Sequence, residues 1–143
     1  MKKILVATDF SGPSVEAVRY ALKFAAQFEA QLLLLHVLHD PAEAPGFYSS
    51  KKAGKKVLRN MEEAASEMMN EFVEKHFKDF KKVVAKIIPG LPAEEIVRLA
   101  EKEKAEMIVI GTRGHSGLKR LMIGSVTDRV IRAASCPVLT VNS

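Results

Sequence analysis

The sequence predicts an α/β fold in which helices cover both faces of a five-stranded parallel sheet. Five short apolar runs alternate with four longer segments whose apolar residues recur at helical spacing. Strands that alternate with helices imply parallel pairing through right-handed crossovers, and therefore a doubly wound sheet. The chain has 143 residues, 48% hydrophobic and 27% charged, which suits one globular domain spanning residues 1–143.

The first half of the chain predicts two strands, two helices and a loop. Residues 4–7 form a continuous apolar run, as expected for a strand buried on both faces. Pro13 provides a first-turn proline for a helix that runs to about Glu29. Residues 31–38 predict the second strand, and residues 39–53 an irregular loop. A long second helix then ends near Phe77, and its apolar face is predicted to comprise Val57, Met61, Ala64, Met68 and Phe72.

The second half of the chain predicts three strands and two helices. Residues 83–88 form the third strand, which Pro89 and Gly90 are expected to stop. Pro92 opens the third helix, and residues 107–110 form the fourth strand. Ser125 is expected to cap the fourth helix, and residues 137–141 form the fifth strand.

The segment between the fourth strand and the fourth helix carries the strongest local signal. It reads Gly111-Thr112-Arg113-Gly114-His115-Ser116-Gly117 and, after six more residues, Gly124-Ser125. Glycine lets backbone N–H groups approach a phosphate, and a helix N-terminus adds unpaired N–H groups. Residues 111–127 contain three cations and no acid until Asp128. The segment therefore predicts an anion site; the alternative is a flexible loop before a helix that Ser125 and Asp128 cap as a capping box.

Asp9 follows the first strand and is the second candidate site residue. Ligands of open α/β sheets bind beyond the carboxyl ends of the strands, where the winding direction switches. The strand order is expected to be 2-1-3-4-5 or 3-2-1-4-5, and the long second helix and the glycine segment favour the latter. That order places Asp9 beside the glycine segment. Its carboxylate can then accept from a ribose hydroxyl or an adenine amine, or hold a metal through water; the alternative is a role at the start of the first helix.

These segments resemble the universal stress protein family over essentially the whole chain. The spacing Gly111-x2-Gly114-x9-Gly124-Ser125 is similar to the G-x2-G-x9-G-[ST] signature of its ATP-binding members. ILVATDFSGPS, LLLLHV, AEMIVIGTRGHSGLKRLMIGSV and SCPVLTV resemble the family's first strand and helix start, second strand, nucleotide loop and last strand. Arg113 departs from the pattern, because many members carry histidine there.

The resemblance implies an adenine-nucleotide α-hydrolase-like, Rossmann-like fold with strand order 3-2-1-4-5. It also implies ATP as ligand, with Mg²⁺ as a possible companion, and a homodimer. Adenine would lie near Ala7, Asp9 and Val37, and the ribose and phosphates along the glycine segment. The full set of expected nucleotide-binding residues is Ala7, Thr8, Asp9, Val37, Gly111, Thr112, Arg113, Gly114, His115, Gly117, Gly124, Ser125, Val126 and Thr127.

The charge of the chain points to anionic partners without naming one. The formal net charge is +5, and Lys51, Lys52, Lys55, Lys56 and Arg59 cluster without an acid. Cations at a helix start oppose the helix dipole. They are interpreted either as contacts to phosphates or another anion, or as a solvated loop. No aromatic stacking platform accompanies them, so nucleic acid is not expected as a partner.

Other residue types exclude several classes of function. A single cysteine, Cys136, excludes an intramolecular disulfide and a Cys-rich metal module. No run reaches the ~18 apolar residues of a membrane span, so we expect a soluble, cytoplasmic protein with no membrane partner. No metal site is expected beyond a water-mediated one at Asp9.

The favoured function is that of an ATP-binding stress-response or regulatory module. The alternatives are a slow ATPase or nucleotidyl-transfer enzyme, and a dimeric interaction module that does not need nucleotide. No paired carboxylates or Ser/His/Asp set is present, so no catalytic residue is assigned and at most weak ATP hydrolysis is expected. The last strand, residues 137–141, is uncharged and lies at a sheet edge in the order 3-2-1-4-5, which predicts a homodimer paired through it. A protein partner remains open.

Overall fold

The computed structural model describes residues 1–39, 51–114 and 122–143 and contains one parallel sheet with helices on both faces. The elements are β1 (Lys3–Ala7), α1 (Gly12–Phe28), β2 (Gln31–His39), α2 (Lys51–His76), β3 (Val83–Gly90), α3 (Pro92–Lys102), β4 (Met107–Gly111), α4 (Ser125–Ala133) and β5 (Val138–Val141). The strand order is β3-β2-β1-β4-β5, which confirms the predicted fold class.

The sheet buries side chains on both faces, as its continuous apolar runs predict. Ile4 and Val6 of β1 pack in a cluster with α1 and α2. Leu5 points the other way and packs in a second cluster with α3 and α4. All three of these side chains are fully buried. Because successive side chains of a strand alternate between faces, a strand covered on both sides must be apolar at every position.

The central strands end at different heights, and this difference creates the space for a site. β1 pairs with β2 as far as Ala7 and Leu35, whereas β2 continues to His39 beside β3. β1 also pairs with β4, where Val6 lies opposite Val109. β1 and β4 are therefore neighbours at the point where the winding direction reverses, which is where ligands of such sheets bind.

The end of β3 differs from the prediction. Pro89 and Gly90 do not stop the strand, because β3 pairs with β2 up to Gly90. Leu32 donates its N–H to the carbonyl of Lys82, so the even-numbered residues of β3 bond β2 and Pro89 faces outward. A proline is tolerated on an edge strand when its missing N–H would point away from the sheet.

The face that α2 buries also differs from the prediction. Ala65, Met69 and Phe72 are its buried residues, so of the predicted face only Phe72 is buried. Val57, Ala64 and Met68 are exposed, and Met61 is half-buried. The helix begins at Lys51, so residues 51–53 of the predicted loop are helical instead. Residues 40–50 of that loop lie outside the described residues.

Candidate functional site

A cavity of about 310 Å³ opens beyond the carboxyl ends of β1, β2 and β4. Its volume is at the lower end of the range of small-molecule sites. Most of the predicted site residues line it, namely Ala7, Thr8, Asp9, Val37, Gly111, Arg113, Gly114, Gly124, Ser125, Val126 and Thr127. Thr112 is buried and does not line it. His115 and Gly117 lie outside the described residues.

Sequence reasoning missed several residues that line the cavity. They come from α1, β2, α3 and β4, and are Ser14, Leu35, His36, Pro92, Ile96 and Ile110. Most of them are apolar and also belong to strands or helix faces that form the core. Periodicity predicts that such residues are buried but does not distinguish a cavity wall from the core, so only the alignment of strand ends identifies them.

Asp9 is held at the mouth of the cavity by the start of α1. Its Oδ1 accepts a hydrogen bond from the Ser11 N–H at 3.0 Å and another from the Ser11 hydroxyl. Ser11, and not Asp9, is the N-cap of α1. The other oxygen, Oδ2, would lie only 2.2 Å from a Cβ atom placed on Gly114. Gly114 therefore lies directly over the carboxylate, and a larger residue at position 114 would displace the carboxylate from this position.

Two buried hydroxyls fix the chain beneath Asp9. The Thr8 Oγ1 accepts from the Phe10 N–H at 3.0 Å and lies 2.9 Å from the Ser14 Oγ. The Ser14 hydroxyl donates to the Ser11 carbonyl at 2.8 Å, so the Thr8 hydroxyl must donate to Ser14. Phe10 has φ 66°, a left-handed conformation that is rare for a bulky residue. This bonded turn holds Asp9 in place.

Val37 presents both its backbone groups toward the side where β1 has ended. The odd-numbered residues of β2 bond β1, as in the bond from the Thr8 N–H to the Leu35 carbonyl at 2.9 Å. The next acceptor on that side would be the Thr8 carbonyl, which instead accepts a hydrogen bond from the His36 Nδ1 at 2.9 Å. Because a carbonyl can only accept, Nδ1 carries the proton. Within the described residues, no backbone group of β1 pairs with the N–H and C=O of Val37, which lines the cavity.

The N-terminus of α4 forms the wall opposite β2. Gly124 is its N-cap, and no side chain caps the helix. Asp128 instead bonds Arg132 at 3.1 Å, so the capping-box alternative is wrong. The Thr127 Oγ1 donates to the Gly111 carbonyl at 2.7 Å and ties the first turn of α4 to the end of β4. The first-turn N–H groups thus face the cavity without a competing side-chain acceptor, as an anion site requires.

Arg113 lines the cavity, but its guanidinium bonds the chain after β5, whereas its charge suggested a contact to a bound anion. Its Nη2 donates to the Ser143 hydroxyl at 3.0 Å and to the Ser143 carbonyl oxygen. These bonds direct the guanidinium toward the residues that follow β5.

The described part of the chain offers neither a set of metal ligands nor an activated cysteine. No cluster of three His, Cys, Asp or Glu residues there is suited to a metal ion. Burial raises the pKa of the Cys136 thiol, which disfavours the thiolate. Among the described residues no helix is long and apolar enough to cross a bilayer.

Comparison with known proteins identifies the family of this chain. A model of the universal stress protein family matches residues 1–142. The chain belongs to the universal stress protein family. One curated relative, universal stress protein MJ0531 of Methanocaldococcus jannaschii, is 37% identical over 149 residues, which cover 98% of this chain and 81% of the relative.

Solved structures of family members share the fold. The structure of protein MJ0577 of M. jannaschii superposes with a TM-score of 0.86 at 30% identity and covers 99% of this chain and 96% of that one. A universal stress protein solved in complex with cAMP has a TM-score of 0.63 at 26% identity, covering 99% of this chain and 96% of that chain. Nucleotide binding therefore occurs among structural neighbours of this universal stress protein.

Proposed function

We propose that this universal stress protein binds ATP in the cavity beyond β1, β2 and β4, as a nucleotide-dependent stress-response or regulatory module. The backbone of Val37 is the observation that carries the proposal. Its N–H and C=O face the cavity beside the apolar side chains of Ala7, Leu35 and Ile96, a surface suited to an aromatic base.

The Val37 groups match the edge of adenine and not that of guanine. The C=O can accept a hydrogen bond from the 6-amino group of adenine, and the N–H can donate one to the ring nitrogen N1. Guanine presents a carbonyl oxygen and a ring N–H at the same two positions, so acceptor would face acceptor and donor would face donor. A buried polar group left without a partner costs about 1–3 kcal/mol, and the mismatch leaves two of them.

The phosphates are proposed to run from Gly111–Gly114 to the first turn of α4. Gly124 gives the backbone close approach, and the N–H groups of Ser125, Val126 and Thr127 and the Ser125 hydroxyl supply donors. Asp9 is placed to accept from the ribose hydroxyls or to hold Mg²⁺ through water. One carboxylate is a sparse set of ligands for that ion, so Mg²⁺ would be held mainly by the phosphates and water.

Calorimetry should show ATP binding with a dissociation constant in the micromolar range or tighter. GTP should bind at least ~100-fold more weakly, because it mismatches both groups of Val37. ITP is the matched control, because its base presents the same carbonyl oxygen and ring N–H as guanine without the 2-amino group, so it should bind as weakly as GTP. Absence of heat with ATP at protein concentrations well above micromolar would contradict the proposal.

Turnover of ATP should be far below the typical enzyme value of about 10 s⁻¹. The described cavity holds one carboxylate, Asp9, which two bonds from Ser11 already hold, and His36 lies on the side of the proposed base site. Phosphate release by the purified protein with Mg²⁺ measures the rate. Ordinary turnover that an Asp9→Asn change abolishes would show that the protein is an enzyme.

We also propose a homodimer that pairs β5 with its copy. β5 is an edge strand whose residues 138–141 carry no charge. The Ile108 and Thr112 N–H groups donate to the carbonyls of Pro137 and Val141, so the odd-numbered residues bond β4. Val138 and Thr140 therefore direct their N–H and C=O groups outward. An uncharged edge with free ladder groups is suited to antiparallel pairing with a second copy about a two-fold axis.

A further inference from the structure

Helix α2 carries an apolar stripe beside the face that it packs on the sheet. Val57 is 42% and Met68 49% exposed, Ala64 is exposed, and Met61 is half-buried. Their spacing of four, three and four residues places them in one line along the helix, as in paired helices with a 3.5-residue repeat. We call Val57, Met61, Ala64 and Met68 the α2 seam.

The N-terminal half of α2 makes few contacts with the described parts of the chain. No residue between positions 54 and 64 is buried, whereas Ala65, Met69 and Phe72 anchor the second half. A helical stretch of this length is marginal in water without tertiary packing. A surface that covers the α2 seam would therefore also stabilise this half of the helix.

The charges of α2 are separated along its length in an order that an isolated helix does not favour. Five cations and no acid occupy residues 51–59, and five glutamates and no cation occupy residues 62–74. This order opposes the helix dipole. Like charges also recur four residues apart, as in Lys55 with Arg59 and in the series Glu63, Glu67 and Glu71, and such pairs repel.

We propose that α2 is a docking surface for the α2 helix of a second copy of this chain, packed antiparallel. A two-fold axis between Met61 and Ala64 brings Val57 of one copy against Met68 of the other, so both halves of the α2 seam are covered. Lys56 then lies level with Glu67 and Glu71 of the second copy. The charge order that is unfavourable in one helix becomes complementary in the pair, which selects a second copy over an unrelated apolar helix.

This surface is separate from both the cavity and β5. α2 packs on β2 and β3, and β3 is the sheet edge opposite β5. Pairing through α2 needs no nucleotide, and it can join chains that already pair through β5. The seam is small compared with a standard interface, so the association should be weak, with a dissociation constant of about 200 µM.

Chemical cross-linking tests the proposal without interference from β5. Ala64→Cys and Ser66→Cys are made in a Cys136→Ser background and treated with a short bismaleimide linker. Both positions are exposed, but Ser66 lies on another side of α2. We expect covalent dimers with Ala64→Cys and at least ~10-fold fewer with Ser66→Cys. Equal yields, or no dimer with Ala64→Cys at about 200 µM protein, would overturn the proposal.

Charge exchange tests the antiparallel register. Lys56→Glu and Glu67→Lys, each added to the Ala64→Cys parent, place like charges across the proposed pair, so each alone should cross-link about 10-fold less than that parent does. An equimolar mixture of the two restores opposite charges at both contacts and should recover the parent's yield as mixed dimers. A mixture no better than its components would overturn the proposal, as would protection of the seam by residues 40–50 or by another protein. Circular dichroism of each variant verifies that the total helix content is unchanged.

Discussion

Replacing Gly114 with valine should weaken ATP binding by at least ~100-fold while leaving the fold intact. A Cβ atom at this position would lie 2.2 Å from the Asp9 Oδ2, well inside contact distance. The carboxylate must then move away from the cavity or the glycine segment must lift off it. Either movement separates the groups that are proposed to hold the ribose from those that hold the phosphates, and hydrogen bonds to charged groups contribute about 1.5–3 kcal/mol each.

Gly12→Ala is the matched control for Gly114→Val. Gly12 lies at the start of α1, and a Cβ atom there meets nothing within 4 Å. Alanine at this position should leave the dissociation constant for ATP unchanged, as measured by calorimetry. The melting temperature of both variants should stay within a few degrees of the parent. ATP binding by Gly114→Val at the parent's affinity would mean that the nucleotide does not pass over this residue.

Replacing Thr140 with proline should convert the proposed β5 dimer to monomers. The Thr140 N–H points away from β4, so proline removes a donor to the second copy and keeps the protein's own ladder. At about 20 µM, where α2 contacts remain weak, light scattering should give the 15.8 kDa mass of one chain instead of about twice that value. Thr140→Val keeps the N–H and the branched side chain, and it should remain dimeric.

A proline at the neighbouring position, Leu139, would not test pairing through β5 cleanly. Leu139→Pro is the change that the edge position alone suggests, but Leu139 lies opposite Val109 and bonds β4 with its own N–H. Proline there breaks a bond inside the sheet and destabilises the monomer, so loss of the dimer would not identify the interface. A dimer that persists in Thr140→Pro would exclude pairing through β5.

Much of the candidate site could be predicted because it depends on local sequence. The spacing of Gly111, Gly114 and Gly124 and the helix start after them indicate close approach to an anion, and all three line the cavity. Asp9 follows β1, and the neighbour of β1 was correctly predicted to be β4, so the sequence also predicted that Asp9 lies beside Gly114. That the backbone groups of Val37 do not pair with β1 could not be predicted, because it depends on how far β1 extends beside β2 and on the bond from His36 to Thr8.

The sequence by itself determined the types and order of the elements, since short continuous apolar runs and the 3.6-residue periodicity of helices are local properties of the chain. Only the tertiary structure decided which face of α2 packs on the sheet. Two apolar stripes lie side by side on that helix, one through Val57, Ala64 and Met68 and the other through Ala65, Met69 and Phe72. Both have helical spacing, and the stripe that is buried is the one whose side chains fit the surface of β2 and β3, a match between elements distant in sequence that no local pattern encodes.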